Sequence, residues 1–459
     1  MQHVSPRLRS AAKPALWGFL LFGGITGLLA AATWLAYYRS YSVAVALIGA
    51  PAMLAISIPL LRRAQRLETN PIMRHILLWG LVAKMVGAFA RYAMAYWIYG
   101  ASDAAGYDLR GRAIAAVLHS GSFAIQTQSG SFTGTGFVEV LTGVVYTFIG
   151  PSQLGGFLVF AWLGFWGLFF FYKAYRLTFP DTSPLYYGCL LFFVPSMFFW
   201  PSSIGKEAWV LFALGLATLG SARLFRSQVS GLWQAALGTV GVALARPHVA
   251  VIFVASMVVG YALGRVENRS GKRMNRAVKL VVVAALVGGA FIAANNAAKY
   301  FGVEDASLDS ATAVAAEANR RTSQGGSEFN APNPQSLVEF PAAVLTVLYR
   351  PFLFEARNLQ ALISAVEASL FLGLTLFALP RIVRNTSQFR RNGYLLACLI
   401  YVLLFTYFFG SIGNFGIIAR QRIQVLPFLF VILAMPARNA DAVRSSLHVR
   451  TAQESLPLG

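Results

Sequence analysis

Charged residues are scarce in this chain: Asp, Glu, Lys and Arg together make up 12% of its 459 residues, whereas 57% are hydrophobic. A soluble protein of this size does not need so many apolar side chains to fill its core, so the excess must face lipid. Apolar runs of about 20 residues recur from end to end, and each could cross a hydrocarbon layer of about 30 Å as a helix. The composition therefore excludes a large soluble domain and predicts an all-α, polytopic membrane helix bundle.

Cysteine and metal-binding motifs are nearly absent as well. The only cysteines, Cys189 and Cys398, lie beside or inside apolar segments, which argues against both a disulfide framework and a thiolate metal site. The chain has no Asp-X-Asp and no His-X-X-X-His motif, so no metal ligands are predicted, and a divalent metal as a cofactor is left open. No internal repeat is visible, although paired repeats are common in secondary carriers.

The net charge of +21 is concentrated in short Lys and Arg clusters between the apolar runs. Such clusters are typical of a topology signal, so a nucleic-acid partner is not expected. If the spans alternate in direction, the clusters share one side, which the positive-inside rule makes cytoplasmic with both termini inside. A multi-pass protein of the cell inner or plasma membrane is therefore expected. The clusters are Arg62 to Arg74, Lys173 with Arg176, Arg223 with Arg226, Arg265 to Lys279, Arg381 to Arg391, and Arg438 to Arg450.

About 12 spans are predicted from the apolar runs. The first follows Arg7, Arg9 and Lys13 and is longer than the core of a signal peptide, so it is interpreted as an uncleaved span. The predicted spans cover residues 15–37, 42–61, 75–99, 153–172, 186–200, 207–222, 231–245, 248–264, 278–296, 360–379, 394–410 and 416–435.

The short apolar segment 136–150 does not fit this alternation, because counting it as a span would reverse the orientation of the chain on one side of it. It is interpreted as a re-entrant or interfacial segment at the outer face, where irregular backbone would line a cavity. The chain is then divided into 1–99 with the first three spans, 100–152 as an outer loop with interfacial and re-entrant segments, 153–296 with the central spans, 297–358 as a second large outer loop, 359–436 with the last spans, and 437–459 as a cytoplasmic tail.

Ionisable residues outside the inner clusters fall mostly at the outer face. Charges at membrane depth are costly and usually face a polar cavity, although near helix ends they can simply snorkel to the headgroups. Gly and Pro breaks beside Lys206 and Arg246 favour a shared pocket, since broken helices aim their ends at ligands in membrane anion sites. Several cations with few acids suit a phosphate or pyrophosphate. The expected phosphate-binding residues are Lys206, Arg246, His248, Arg350, Arg420 and Arg422.

Acidic residues at the same face offer complementary chemistry. Asp103 and Asp108 lie in the sequence SDAAGYD, where one carboxylate could act as a general base toward an acceptor hydroxyl. Asp103 could equally cap the helix that follows it. Glu207 and Glu355 are expected to support the neighbouring cations.

Two further features lie deeper in the predicted bilayer. Lys84 is in mid-span, too deep to snorkel, and is expected to support the bundle through a structural pair with Glu367. Aromatic residues are dense in GFWGLFFFY and LFFVPSMFFWP. They are expected to anchor the spans at the interface, and the alternative is an apolar groove for a polyprenyl tail.

Three segments give the chain a family resemblance: SDAAGYDLRG, FFVPSMFFWPSSIGKEA and IIARQRIQVLPFLFVIL. They resemble bacterial multispanning glycosyltransferases of the GT-C type and polysaccharide repeat-unit polymerases, which use polyprenyl-phosphate-linked sugars. The resemblance covers most of the chain as architecture. It implies that an outer-loop acid, Asp103 first and Asp108 second, serves as a base or helps a metal. It also implies that Arg246, Arg420 or Arg422 holds the lipid pyrophosphate.

Glycosyl transfer is therefore the expected function, which would make the protein an enzyme. The donor is a polyprenyl-phosphate- or pyrophosphate-linked sugar, the acceptor is a glycan or lipid, and the reaction belongs to cell-envelope or exopolysaccharide synthesis at the outer face. Two alternatives remain open. One is a transporter or flippase of an anionic lipid-linked glycan, since about 12 spans also suit carriers. The other is a non-catalytic scaffold that binds envelope-synthesis partners through the 297–358 loop.

Overall fold

The computed structural model describes residues 24, 26–37, 40–98, 103–128, 130–264 and 329–436, apart from 333, 335 and 337. Within these ranges the chain forms helices and no strand, so the all-α prediction is confirmed. The predicted span 278–296, most of the predicted loop 297–358 and the tail 437–459 lie outside the described residues.

The helices are labelled in chain order. The part before residue 265 contains α1 (Thr26–Tyr37), α2 (Tyr41–Arg66), α3 (Pro71–Ala93) with a π-helical extension (Met94–Ile98), α4 (Asp103–His119), α5 (Thr135–Ile149), α6 (Gln153–Thr178), α7 (Leu185–Phe193), α8 (Pro195–Phe199), α9 (Lys206–Phe225), α10 (Gly231–Ala245) and α11 (Pro247–Leu263). The part after residue 328 contains α12 (Phe340–Tyr349), α13 (Leu359–Arg384), α14 (Ser387–Arg391), α15 (Gly393–Phe409), α16 (Phe415–Arg422) and α17 (Leu426–Leu433).

Five of the described helices are long and apolar enough to cross a membrane: α2, α3 with its extension, α6, α9 and α13. The pair α16 and α17 would add a sixth span, although the two helices are bent by 62° relative to one another. Helices α1, α5, α10, α11, α12 and α15 are apolar but shorter. These helices support a multispanning membrane protein. The count of about 12 spans, the topology and the domain limits remain predictions.

Helices α6 and α9 form the centre of the bundle. In the most apolar window of each, 78% is buried, compared with 17% for α2 and 28% for α13. The two central helices approach closely at Gly167 and Gly215, where a Cβ on Gly215 would lie 2.3 Å from the carbonyl oxygen of Gly167. Small residues allow such backbone contact between membrane helices. This contact fixes α9, whose first turn carries part of the candidate site.

Proline residues interrupt two of the predicted spans. The stretch 186–200 is divided at Val194 into α7 and α8, directly before Pro195, and the stretch 416–435 is divided into α16 and α17, just before Pro427. Proline has no backbone N–H and is favoured in the first turn of a helix, where that group would have no helical partner. Each of these two predicted spans is therefore formed by two helices instead of one. Inside α2 and α13, by contrast, Pro51, Pro59 and Pro380 do not end the helix.

Helices also occupy parts of both predicted outer loops. The helix expected after the third predicted span is present as α4, and its interfacial position remains a prediction. The 136–150 segment forms α5, which packs on α4: a Cβ on Gly143 would lie 2.4 Å from Ile114 Cγ2. Helix α12 lies within the stretch 297–358, which is predicted to be an outer loop. Its ten apolar residues are too few to cross a membrane.

Candidate functional site

A polar pocket of about 330 Å³ lies where several helix ends meet. The end of α3, the start of α4, the segment between α8 and α9, the start of α13 and the first turns of α16 contribute to its wall. Charged and aromatic side chains both contribute to its lining. The lining residues are Arg91, Ala95, Asp103, Ala104, Tyr107, Trp200, Ser203, Ile204, Gly205, Glu207, Gln360, Asn414, Gly416, Ile417 and Arg420.

Two arginines and two carboxylates form one connected network at this pocket. Arg420 Nη2 lies 2.8 Å from Asp103 Oδ2 and 3.3 Å from Glu207 Oε1. Arg246 Nη2 lies 2.8 Å from the same Glu207 oxygen, and Arg246 also donates to Gln421 Oε1. The side chains of Glu207 and Arg246 are each 7% exposed, whereas that of Asp103 is 66% exposed. The pair of Glu207 and Arg246 is therefore buried, whereas the carboxylate of Asp103 is accessible to solvent.

The local sequence explains why these groups converge. The side chain of Asn414 caps α16 by accepting from the N–H groups of Gly416 and Ile417, at 2.9 and 3.2 Å, and Arg420 follows on the second turn. Glu207 lies in the first turn of α9, where the helix dipole favours a carboxylate. Arg246 occupies the break between α10 and α11, directly before a proline.

Arg91 adds a third cation that sequence patterns did not single out for this site. Its guanidinium carbon lies 4.9 Å from the centroid of the Trp200 ring and 5.4 Å from that of Phe199, a cation–π arrangement that orients the group. The sequence feature that could have indicated Arg91 is its spacing of seven residues from Lys84, which places both residues on one face of α3. Together with Arg246 and Arg420, it gives the described part of the site three guanidinium groups beside the two carboxylates of the network.

Tyr107 supplies a neutral hydrogen-bonding group on α4. Burial raises the pKa of Tyr107, and the negative charges of Glu207 and Asp103 raise it further. The phenol therefore keeps its proton at neutral pH and can donate a hydrogen bond into the pocket.

Asp108 does not line the pocket, although it lies on the same helix as Asp103. Its carboxylate accepts from Tyr146 Oη at 2.5 Å and from Arg112 Nε at 3.0 Å. Five residues rotate an α-helix by about 500°, so the two side chains point about 140° apart around the axis and meet different neighbours. Of the two expected catalytic acids, only Asp103 lines the pocket that contains Arg91 and Arg420.

Arg350, Arg422 and Glu355 form a separate structural cluster. Arg422 donates from Nε to the Val347 carbonyl at 2.8 Å and from Nη2 to the Arg350 carbonyl. Arg350 Nε lies 3.0 and 3.1 Å from the two Glu355 oxygens. Burial would raise the pKa of Glu355, but the hydrogen bonds from Arg350 and a backbone N–H outweigh it and lower the pKa. These arginines bind protein groups and are not placed at the pocket wall.

The remaining expected cations lie near the pocket without lining it. Lys206 begins α9 next to Glu207 and is half-buried. His248 lies one residue beyond the proline that starts α11. It is also half-buried, and its ring centroid lies 5.6 Å from that of Phe409. Of the six expected phosphate-binding residues, Arg420 lines the pocket and Arg246 supports it through Glu207.

The expected pair of Lys84 with Glu367 does not form. Lys84 Nζ donates to the Pro201 carbonyl at 3.2 Å, whereas Glu367 accepts from the Ser196 N–H at 2.7 Å and from the Ser196 hydroxyl. Each buried charge therefore holds one end of the break between α7 and α9. That break carries Trp200 and Gly205 to the pocket wall.

The described residues offer few ligands for a divalent metal. They contain no group of three or more His, Cys, Asp or Glu side chains close enough to bind one, and both pocket carboxylates are already bound by arginine.

Comparison of the chain with protein-family models, with curated proteins and with solved structures gives no match. Functional inference for this pocket therefore depends on its geometry and charge.

Proposed function

We propose that this protein transfers a glycosyl group from a polyprenyl-phosphate- or pyrophosphate-linked sugar to a glycan or lipid acceptor. The reaction takes place at the outer face of the cytoplasmic membrane, in envelope or exopolysaccharide synthesis. The observation that carries the proposal is the pair of Arg420 and Asp103 in one polar pocket, with Arg420 Nη2 2.8 Å from Asp103 Oδ2. This pair combines a cation that can bind a phosphate with an accessible carboxylate that can accept a proton.

Donor binding uses the cations. An incoming phosphate replaces Asp103 as the partner of Arg420. Asp103 contacts the guanidinium through Nη2 alone, whereas the two non-ester oxygens of a phosphate can accept two parallel hydrogen bonds from it. Arg91 also lines the pocket and binds the same phosphate, held over Trp200. Glu207 keeps Arg246 and Arg420 in place, since both guanidinium groups contact the same carboxylate oxygen.

Transfer uses the released carboxylate. The acceptor hydroxyl oxygen forms a bond to the anomeric carbon while the bond from that carbon to the phosphate oxygen breaks, and Asp103 takes the hydroxyl proton as general base. The departing phosphate gains negative charge, which the arginines stabilise more strongly than they stabilise the intact donor. Tyr107 can donate a hydrogen bond to the same oxygens. The products are the glycosylated acceptor and a polyprenyl phosphate or pyrophosphate.

The test is sugar transfer by the purified protein in nanodiscs, with radiolabelled polyprenyl-linked donors and candidate acceptors. Asp103→Asn should reduce turnover by about a hundredfold or more, the usual effect of removing a general base, with donor binding retained. Arg420→Ala should weaken donor binding itself. Asp181→Asn, an exposed acid in the turn after α6, is the matched control and should be neutral. Donor binding without transfer by the wild-type protein would instead support the carrier or scaffold alternative.

A further inference from the structure

A cluster of basic side chains lies at the end of the bundle opposite the polar pocket. It is formed by Arg63 in the last turn of α2, Lys173 and Arg176 near the end of α6, and Arg223 in the last turn of α9. Helix α9 carries Glu207 at the pocket in its first turn, and Arg223 follows about 24 Å further along the helix axis. The basic cluster is therefore separated from the candidate site by most of the thickness of a hydrocarbon layer.

Packing between α6 and α9 brings their basic residues to the same depth. Near the pocket, a Cβ on Gly156 of α6 would lie 2.7 Å from Ile204 Cδ1, just before α9 begins. At the other end, the charge of Arg223 acts on the ammonium of Lys173. The two helices therefore run in the same direction, and Lys173 and Arg223 lie close together where both helices end.

Among the described residues, Glu68 is the acid that acts on Lys173, and it already has its partners. Glu68 follows α2 and is 4% exposed. Its Oε2 lies 3.2 Å from Arg176 Nε and accepts from the Tyr172 hydroxyl, whereas its Oε1 accepts from the Asn70 backbone N–H at 3.3 Å. Both oxygens are thus bound, so Glu68 compensates Arg176 and leaves the other cations of the cluster unpaired.

Three cations of the cluster have no carboxylate partner among the described residues. Lys173 is half-buried, and no hydrogen bond or ion pair joins its ammonium to another described residue. Arg223 donates from Nη1 to the neutral side chain of Gln234 at 2.6 Å. Arg63 is exposed, and neither it nor the other two forms an ion pair with Asp181 in the turn after α6. Since like charges repel, and more so where burial excludes water, the arrangement favours an anion that all three can share.

Helix α2 presents an apolar face to the surroundings of the bundle, and Arg63 lies at the end of that face. Ile56, Leu60 and Arg63 follow one another at helical spacing on one side of the helix. Ile56 is 62% and Leu60 is 55% exposed. Hydrocarbon chains can therefore lie along this face while a phosphate on the same molecule reaches Arg63. A soluble phosphate would contact the cations alone, so the combination favours a phospholipid.

We propose that the basic cluster is a binding site for an anionic phospholipid, whose phosphate is held by Lys173, Arg223 and Arg63. Lys173 and Arg223 donate charge-assisted hydrogen bonds to the phosphate oxygens, and the acyl chains lie along the exposed face of α2. Basic pockets between the ends of membrane helices are typical sites for anionic headgroups. The bound lipid joins the ends of α2, α6 and α9. This site does not require the reaction proposed for the pocket.

Binding of defined ligands to the purified full-length protein in neutral detergent micelles, measured by native mass spectrometry, tests the inference. The probes are dioleoyl phosphatidylglycerol, which is anionic, dioleoyl phosphatidylcholine, which has the same chains but no net charge, and glycerol 3-phosphate, which is soluble. Lys173→Gln and Arg223→Gln should each weaken binding of the anionic lipid by about tenfold, the result of losing a hydrogen bond to a charged group. Neither should change binding of the zwitterionic lipid.

Arg62→Gln is the matched control for these variants. It removes an exposed charge one residue before Arg63, but the side chain points about 100° away around the helix. It should change binding of the anionic lipid by about twofold or less, as expected for a solvated surface charge.

Thermal unfolding in the same micelles separates a binding role of Lys173 from a structural one. Without lipid, Lys173→Gln should unfold at the same temperature as the wild-type protein or at a higher one, because the substitution removes an unpaired cation beside other cations. Phosphatidylglycerol should raise the unfolding temperature of the wild-type protein more than that of the variant, since ligand binding stabilises the folded state.

Each other result overturns the inference. If Arg62→Gln weakens binding of the anionic lipid as much as Lys173→Gln does, the cations act as a diffuse charged surface and not as a site. Equal binding of the two lipids by the wild-type protein, or binding of neither, would show that the cluster does not recognise an anionic headgroup. Equally tight binding of glycerol 3-phosphate would assign the cluster to a soluble phosphate. A lower unfolding temperature of lipid-free Lys173→Gln would make Lys173 a structural residue.

Discussion

At the scale of single residues, Glu207 is the centre of the candidate site. Its carboxylate oxygen lies 2.8 Å from Arg246 Nη2 and 3.3 Å from Arg420 Nη2, so it compensates two guanidinium groups at once. Arg246 is as buried as Glu207, and a buried arginine without a carboxylate partner is strongly unfavourable. The acid is therefore expected to be needed for folding as well as for function.

Glu207→Gln should lower the free energy of unfolding by about 3–5 kcal/mol, the usual cost of removing one partner from a buried ion pair. Reversible unfolding in mixed micelles measures it. The matched control is Asp103→Asn, which removes the other carboxylate on Arg420 but at a side chain that is 66% exposed; it should cost less than about 1 kcal/mol. Equal losses for the two variants would contradict the role assigned to Glu207.

At the scale of helices, the sequence predicted where helices lie along the chain better than it predicted where they are broken. The stretch 231–245 coincides with α10, and the limits of α9, α11 and α15 lie within three residues of those predicted. Helix α6 begins at the predicted residue and ends six residues later. Apolar runs are sufficient for this, because a helix at membrane depth must satisfy its own backbone. The breaks at Val194 and before Pro427 required interpreting proline as the start of a new helix. Helix α12 is too short to stand out from its loop.

The break between α7 and α9 is held by side chains from distant helices. Lys84 in α3 binds the Pro201 carbonyl, and Glu367 in α13 binds the Ser196 backbone and hydroxyl. From the sequence, both charges were predicted at membrane depth and were expected to pair with one another. Nothing in the sequence indicated that backbone groups at the helix break, at Ser196 and Pro201, were closer partners. For a buried charge beside a helix break, the first partners to consider are therefore the N–H and carbonyl groups that the break leaves without a helical hydrogen bond.

Glu367→Leu should destabilise the protein by about 1–3 kcal/mol, because the buried Ser196 N–H loses its acceptor. Glu367→Gln keeps an amide oxygen at the same position and should retain most of that stability. Thermal unfolding in detergent measures both variants. If the two substitutions cost the same, the charge of Glu367 rather than its hydrogen bonds holds the break, and its assigned role would be wrong.

At the scale of the whole molecule, the sequence identified which charges are unusual but not where they point. Asp103, Glu207, Arg246 and Arg420 were all named from the sequence, and the structure connects them in one network. Nothing in the sequence separated them from Arg422, which binds carbonyl groups elsewhere. Side-chain direction depends on the rotation of each helix about its axis, which neighbouring helices set, and apolar composition does not record it.

The orientation of the bundle in the membrane decides whether the pocket can act on lipid-linked donors outside the cell. Leu109 on α4 and Leu67 at the end of α2 are 68% and 70% exposed. They are expected on opposite sides, with Leu109 near the pocket. In a background without Cys189 and Cys398, Leu109→Cys should react with a membrane-impermeant maleimide in intact cells, and Leu67→Cys only after permeabilisation.

Labelling of these two cysteines in the reverse order would place the pocket at the cytoplasmic face. The positive clusters would then lie outside, against the positive-inside rule, and glycosyl transfer at the outer face would no longer be possible. Labelling of both in intact cells would place α2 and α4 on one side and remove α3 from the set of spans. The expected order keeps the cations and Asp103 at the outer face, where both the donor phosphate and the acceptor hydroxyl can reach them.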